Sequence, residues 1–133
     1  MSGADYLVDT NILIYHTQGV QEASDFINNL ISLRSFNISI LTKIEFLGWD
    51  RHTPTGFDKC KRLLDAAKVY AVDEIISETA IEFRGKAKMK IADAVIATTA
   101  RAYSLKLVTK NTDDFKNIDG LAVINPFKRL SVE

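Results

Sequence analysis

The chain has 133 residues, 47% of them hydrophobic, which is enough to bury one independent core and predicts a single domain over residues 1–133. Seventeen lysines and arginines balance seventeen aspartates and glutamates, so attraction to nucleic acid or to an anionic membrane requires a local patch. The one cysteine, Cys60, excludes an internal disulfide, and without a basic leader or an apolar run near ~18 residues we expect a soluble, cytoplasmic protein that makes no membrane contact.

The first half of the chain alternates between strand and helix patterns. In chain order we predict a strand at 6–8, a helix starting with NILIYH, an amphipathic helix at 22–33, a strand at 36–41 and a loop at 52–57. Thr42 is predicted to cap the helix after the second strand, because Glu45 follows three residues later as in a capping box. This assignment places Glu45 in the first turn of that helix.

The second half of the chain continues the alternation. We predict a helix at 58–67, a strand at 69–72, helices at 73–87 and 91–104, and strands at 106–109 and 121–124. Strands that alternate with helices five times imply right-handed crossovers. The pattern therefore predicts a parallel sheet with helices on both faces.

Acidic residues occur at the predicted carboxyl ends of the strands, where ligands bind in such sheets. Asp9 closes the first strand, Asp113 and Asp114 follow the strand KLVT, and Asp93 begins a helix that continues with the uncharged AVIATTA. Together with Glu45 they would meet at one edge. Two carboxylates about 4 Å apart repel by about 4 kcal/mol at an effective dielectric near 20, so cations or protons must neutralise such a cluster. Oxygen ligands and few histidines favour Mg²⁺ or Mn²⁺ over zinc.

Each acid also has a purely structural explanation, because the helix macrodipole favours negative charge in a first turn. Two of them fit this explanation poorly. Glu45 has Leu41 and Trp49 four residues away on either side, so its helix face is apolar. Asp93 begins a helix that is predicted to be buried on most sides. The functional hypothesis depends on the combination of acids and not on any single one.

Four segments together resemble the signatures of PIN-domain ribonucleases, specifically the VapC toxins of toxin–antitoxin pairs. They are LVDTNILIY, the isolated glutamate after the second strand, IADAVIATTA and LVTKNTDDF, and they span residues 6–115 in the family's order and spacing. The resemblance implies a three-layer α/β/α sandwich with a parallel sheet of four to five strands. It also implies a Mg²⁺- or Mn²⁺-dependent endoribonuclease that hydrolyses RNA, forms a homodimer and is inhibited by a small cognate antitoxin.

The resemblance assigns catalytic and metal-binding roles to acids at matching positions. These are Asp9, Glu45, Asp93 and Asp114. Glu45 could bind the metal directly or through water. The implied reaction is in-line attack on phosphorus by water that the metal activates, and no covalent nucleophile is needed.

The last motif, T-x-N-x-x-D-F, departs from the family pattern at one position. Thr109, Asn111 and Asp114 match it, but many PIN domains have aspartate where this chain has Asn111. Whether Asp114 alone completes the acidic site or Asp113 shares the role therefore stays open. Asn11 is expected to order the turn after the first strand by hydrogen bonding to nearby backbone and carboxylate groups.

The segment RGKAKMK, just before Asp93, is the densest basic stretch of the chain. Its cations are candidate ligands for RNA phosphates. The alternative is a solvated helix end, where basic residues are common. The candidates are Arg84, Lys86, Lys88 and Lys90.

Other functions remain open from the sequence. A response-regulator receiver also combines a parallel sheet with acids and Mg²⁺, but it requires paired acids after the first strand, and here Asp9 stands alone. A noncatalytic PIN-like module that binds RNA or protein, and an RNA-processing PIN nuclease without an antitoxin, are the nearer alternatives. We assign structural roles to His16, His52 and Cys60.

Overall fold

A computed structural model describes residues 5–127 of the chain. Five strands alternate with six helices and one 3-10 helix. In chain order they are β1 (Tyr6–Val8), α1 (Thr10–Thr17), α2 (Gln21–Ser32), β2 (Phe36–Ser39), α3 (Ile40–Leu47), α4 (Pro54–Leu64), β3 (Lys68–Tyr70), α5 (Glu74–Ala87), α6 (Ile91–Ala102), β4 (Lys106–Val108), the 3-10 helix (Thr112–Phe115) and β5 (Val123–Ile124). None of the helices in this described part is long and apolar enough to cross a bilayer.

The strands form one parallel sheet in the order β3-β2-β1-β4-β5. Successive side chains of a strand point to opposite faces, and the fully buried Leu7 and Val8 of β1 accordingly enter two different cores. Val8 packs with residues of α1, α2 and α4. Leu7 packs with residues of α5 and α6. The predicted three-layer α/β/α sandwich is thereby confirmed, with five strands and with β1 at its centre.

The prediction for the junction between β2 and α3 is wrong. The strand ends at Ser39, and the Ser39 hydroxyl caps α3 by accepting a hydrogen bond from the Leu41 amide at 3.1 Å. Thr42 lies within the helix and is fully buried, so it caps nothing, and Glu45 falls in the second half of α3 instead of its first turn. The sequence misled because an apolar run such as Ile40–Leu41 fits a strand and a buried helix equally well. The macrodipole therefore gives no structural explanation for Glu45.

The predicted loop at 52–57 is also mostly wrong. Thr53 caps α4 through its hydroxyl, which accepts from the Gly56 amide at 3.0 Å, and Pro54 starts the helix, where its fixed φ is suited and its missing amide hydrogen is not needed. The remaining elements match their predictions with shifts of one to three residues at their ends. The largest shifts, of two or three residues, are the end of α4 at Leu64, the end of β3 at Tyr70, the end of α6 at Ala102 and the start of β5 at Val123.

Candidate active site

Asp9 lies at the carboxyl end of the central strand and is only 7% exposed. One carboxylate oxygen, Oδ1, accepts a hydrogen bond from the Thr10 amide at 2.8 Å. The other, Oδ2, accepts from the Thr109 hydroxyl at 2.8 Å and from the Asn11 side-chain amide at 3.2 Å. Burial raises the pKa of Asp9 from 3.8 to about 6, with further contributions from the charges of Asp93 and Glu45, although the hydrogen bonds oppose the shift. The carboxylate is thus held in one orientation in a place that disfavours its charge.

Thr109 connects the ends of β1 and β4. It is fully buried, and the hydroxyl that donates to Asp9 also accepts hydrogen bonds from the Asn11 side chain and the Asn111 amide, both at 3.1 Å. Asn11 makes a second link through its Oδ1 atom, which accepts from the Lys110 amide at 3.2 Å. Asn11 and Thr109 together therefore fix the loop after β4 against the start of α1.

Glu45 reaches the same edge from α3. Its side chain is exposed, and Oε1 accepts a hydrogen bond from the Thr10 hydroxyl at 2.6 Å. Its charge contributes to raising the pKa values of both Asp9 and Asp93. Thr10, which sequence reasoning did not single out, therefore contacts two of the four acids. The only signal for it was its place between two candidate residues in the segment DTN.

The α6 side of the edge carries the other acids. Asp93 lies in the first turn of α6 and is half-buried. Burial raises its pKa, the charges of Asp114 and Glu45 add to the increase, and Lys90 opposes it. Asp113 and Asp114 are exposed in the 3-10 helix, which the buried Phe115 anchors.

The four predicted acids are brought together at one edge of the sheet. Electrostatic effects link Asp9 with Glu45 and Asp93, and Asp93 with Glu45 and Asp114. Within residues 5–127, however, no three acidic, histidine or cysteine groups converge closely enough to form a ready-made metal site. Carboxylates without a cation repel one another, so side-chain shifts would be needed to close a coordination shell. The donor set still fits a divalent ion, since it consists of oxygen atoms and since a cation would relieve the raised pKa values of two of its members.

The four candidate cations of the basic stretch have different surroundings. Arg84 donates from Nε to the Met89 carbonyl at 3.1 Å and so bridges the turn between α5 and α6. Lys88 and Lys90 line a cavity of about 330 Å³. Lys86 is exposed and is not part of that lining. The other polar lining residues are Asp93, Asp113, Asp114 and Asn117.

The two histidines and the cysteine line a separate cavity of about 470 Å³ next to α1 and α4. His52 contacts the Phe46 carbonyl through Nε2 at 2.6 Å. Its Nδ1 atom lies 3.9 Å from the Cys60 sulfur, and the pKa of that thiol is raised by burial. A thiol of this kind is not activated as a nucleophile.

Comparison with known proteins places these features in a family. The profile of the PIN domain family matches residues 6–121. Ribonuclease VapC10 of Mycobacterium tuberculosis is 28% identical over 120 residues, which cover 86% of this chain and 89% of the relative. A toxin–antitoxin complex from Klebsiella pneumoniae contains a chain that is 29% identical with a TM-score of 0.75, over 92% of this chain and 98% of that one. The DNA-bound VapBC of Salmonella typhimurium shares the fold, with a TM-score of 0.79 at 18% identity over 93% of this chain and 99% of that one. The chain therefore belongs to the PIN domain family.

Proposed function

We propose that this protein is a divalent-metal-dependent endoribonuclease and the toxin of a VapBC-type toxin–antitoxin pair. Membership of the PIN domain family, a relative named as a ribonuclease and a similar chain in a toxin–antitoxin complex support the proposal. The observation that carries it is the environment of Asp9. A buried carboxylate with a pKa raised to about 6, oriented by three hydrogen bonds and close to further acids, is what a cation site requires.

Asp9, Asp93 and Asp114 are the residues that would hold Mg²⁺ or Mn²⁺, and Glu45 would contribute directly or through water. Such an ion, when bound, lowers the pKa of water, polarises the phosphoryl group and stabilises the departing oxygen. Thr109 and Asn11 would hold the Asp9 carboxylate in one orientation through their hydrogen bonds to its Oδ2 atom.

The fourth acid is assigned to Asp114, because its charge reaches Asp93. Asp113 and Asp114 line the same cavity, but Asp113 is not among the charges that shift the pKa of Asp93. Asn111 takes part through its backbone, since its amide donates to Thr109 and its carbonyl accepts from the Asp114 amide at 3.1 Å. An aspartate at that position is therefore not needed to order the loop.

A small antitoxin and a second copy of the chain are the proposed protein partners. The comparison structures that contain antitoxins support the first of these. Exposed isoleucines on α3, α5 and α6 offer apolar surface for either contact, since large exposed side chains of this kind favour association. They are Ile44 at 62%, Ile75 at 72%, Ile81 at 68% and Ile91 at 58% exposure.

The test of the proposal is cleavage of RNA by the purified protein with Mg²⁺ or Mn²⁺. We expect cleavage that EDTA abolishes and that the Asp93→Asn variant lacks. Asp58→Asn is the matched control, because Asp58 is exposed on α4 and lines neither cavity described above. Equal cleavage by Asp93→Asn would point to a contaminating nuclease or a wrong site. RNA binding without cleavage under every condition would indicate a noncatalytic module.

A further inference from the structure

We propose that Lys88 and Lys90 form a binding site for a second RNA phosphate, adjacent to the phosphate that is cleaved. This inference rests on the proposed ribonuclease function and adds the residues that position the substrate. The site is the cavity of about 330 Å³ where these two lysines lie with Asp93, Asp113 and Asp114.

The composition of the cavity lining suits an anionic ligand once a cation is present. Three carboxylates and two ammonium groups leave one net negative charge in the lining. One divalent ion would offset two of the negative charges of the acids and so reduce their repulsion of a phosphate. The cavity volume lies in the range of small-ligand sites, from about 300 Å³ upward. Phosphate affinity at this wall is therefore coupled to metal binding.

The backbone at Lys88 supports a role for its side chain. Lys88 ends α5 in the left-handed conformation, with φ 55° and ψ 39°, which glycine adopts without strain and other residues do not. The turn is anchored next to Lys88, because the Arg84 guanidinium holds the Met89 carbonyl and the Met89 side chain is buried. Arg34 and Ser104 adopt the same left-handed conformation, so the feature that distinguishes Lys88 is its place in the lining of the cavity. The turn brings the flexible lysine side chain to the same cavity as Asp93 and Asp114.

The competing explanation is that the lysines only neutralise the neighbouring acids. It applies to Lys90, whose charge acts on Asp93. Lys88 is not among the charges that shift the pKa of Asp93, although both residues line the cavity. Lys88 is therefore the better position for a test, because its removal leaves the acidic site least disturbed.

The variant for the test is Lys88→Gly, with Lys88→Arg to restore the charge and Lys86→Gly as the matched control. We expect Lys88→Gly to raise the melting temperature, since glycine relieves the left-handed strain. It should raise KM for RNA about tenfold with little change in kcat, as the loss of one charge-assisted hydrogen bond predicts. The salt dependence of RNA binding should decrease by about 0.7 in log–log slope. Lys88→Arg should restore the wild-type KM and the wild-type salt dependence. Lys86→Gly should leave the KM and the salt dependence unchanged.

A substrate series identifies the phosphate. RNA oligonucleotides carry one uncharged methylphosphonate at successive positions around the cleaved bond. With the wild type, one neighbouring position should raise KM about tenfold, and with Lys88→Gly the same replacement should have no further effect, because the two changes remove one contact. Additive effects at every position would overturn the inference, as would an unchanged KM for Lys88→Gly. If the wild type cleaves RNA and either of these two outcomes is found, the inference fails and the proposed function stays intact. If the wild type does not cleave RNA, the proposed function itself is contradicted.

Binding measured without cleavage gives an independent result. Fluorescence anisotropy with a labelled RNA in Ca²⁺ or EDTA reports affinity alone. We expect tighter binding in Ca²⁺ than in EDTA for the wild type, and a smaller difference for Lys88→Gly. If Ca²⁺ increases the affinity for RNA equally in both proteins, phosphate binding at Lys88 is not coupled to metal binding.

Discussion

The β1 side and the α6 side of the candidate site are built differently. On the β1 side, the two oxygens of Asp9 accept three hydrogen bonds and the residue is 7% exposed. On the α6 side, Asp93 is half-buried, Asp114 is exposed, and the two interact through their charges. The Asp9 carboxylate is thus oriented by the fold itself, and under the proposed function it would set the position of the ion.

The largest effect is expected from removing the fixed carboxylate. Asp9→Asn should lower the single-turnover cleavage rate by a factor of about 10² to 10³, because a metal site supplies several kcal/mol of transition-state stabilisation. Titration calorimetry with Mn²⁺ should show a matching loss of affinity. A variant that cleaves within a few-fold of the wild type would remove Asp9 as the anchor of the site.

In the absence of metal, the pH dependence of the free energy of unfolding measures the electrostatic cost of burying the Asp9 carboxylate. The pKa of Asp9 is higher in the folded protein, about 6, than the ordinary value of 3.8, so the folded state binds the proton more tightly. The resulting stability is present below about pH 4 and is lost as the pH rises through 6, by about 3 kcal/mol in total.

Urea denaturation in EDTA between pH 4 and 7.5 measures this loss as the difference between wild type and Asp9→Asn. Mn²⁺ at pH 7.5 should restore part of the stability of the wild type only. If the difference in stability between the two proteins does not change with pH, the pKa of Asp9 is not raised in the folded protein.

The hydroxyl that orients Asp9 gives a smaller effect with a close control. Thr109→Val should destabilise the protein by about 1–3 kcal/mol and slow cleavage by about 10- to 100-fold, because it removes a buried donor to a charged group that supports a metal ligand. Thr98→Val removes another buried threonine hydroxyl, one that lacks a hydrogen-bond partner within the described residues. It should be neutral or stabilising. Equal losses in the two variants would mean that packing, and not the hydrogen bond, explains Thr109.

The smallest effect distinguishes the two neighbouring acids of the α6 side. Asp114→Asn should weaken Mn²⁺ binding by about tenfold or more, because Asp114 is a proposed ligand and the loss of an outer-shell partner alone costs about that much. Asp113→Asn should change Mn²⁺ binding little. NMR titration in EDTA gives a second readout, since of these two acids only Asp114 is among the charges that shift the pKa of Asp93. The pKa of Asp93 should fall in Asp114→Asn and stay unchanged in Asp113→Asn. The reverse order would assign the fourth acid to Asp113.

The two sides also differ in how far the sequence predicted them. Alternating periods predicted the parallel sheet, and the strand ends placed the acids at one edge, because strand direction alone decides where those ends meet. The hydrogen bond between Thr10 and Glu45 was beyond prediction, since it depends on how α3 packs against α1, and the two residues are 35 positions apart. The sequence also did not predict which cations of the basic stretch line the cavity. This depends on the turn at Lys88, whose left-handed conformation no periodic pattern reveals.

The position of β1 affects when activity can begin during synthesis. Asp9 leaves the ribosome well before the hydroxyl that orients it, which is encoded one hundred residues later. A nascent chain of which only the first strands and helices have left the ribosome therefore has no assembled cleavage centre. For a protein that cuts RNA as proposed, the nascent chain is therefore inactive until the segment that carries Thr109 has been translated and has folded onto β1.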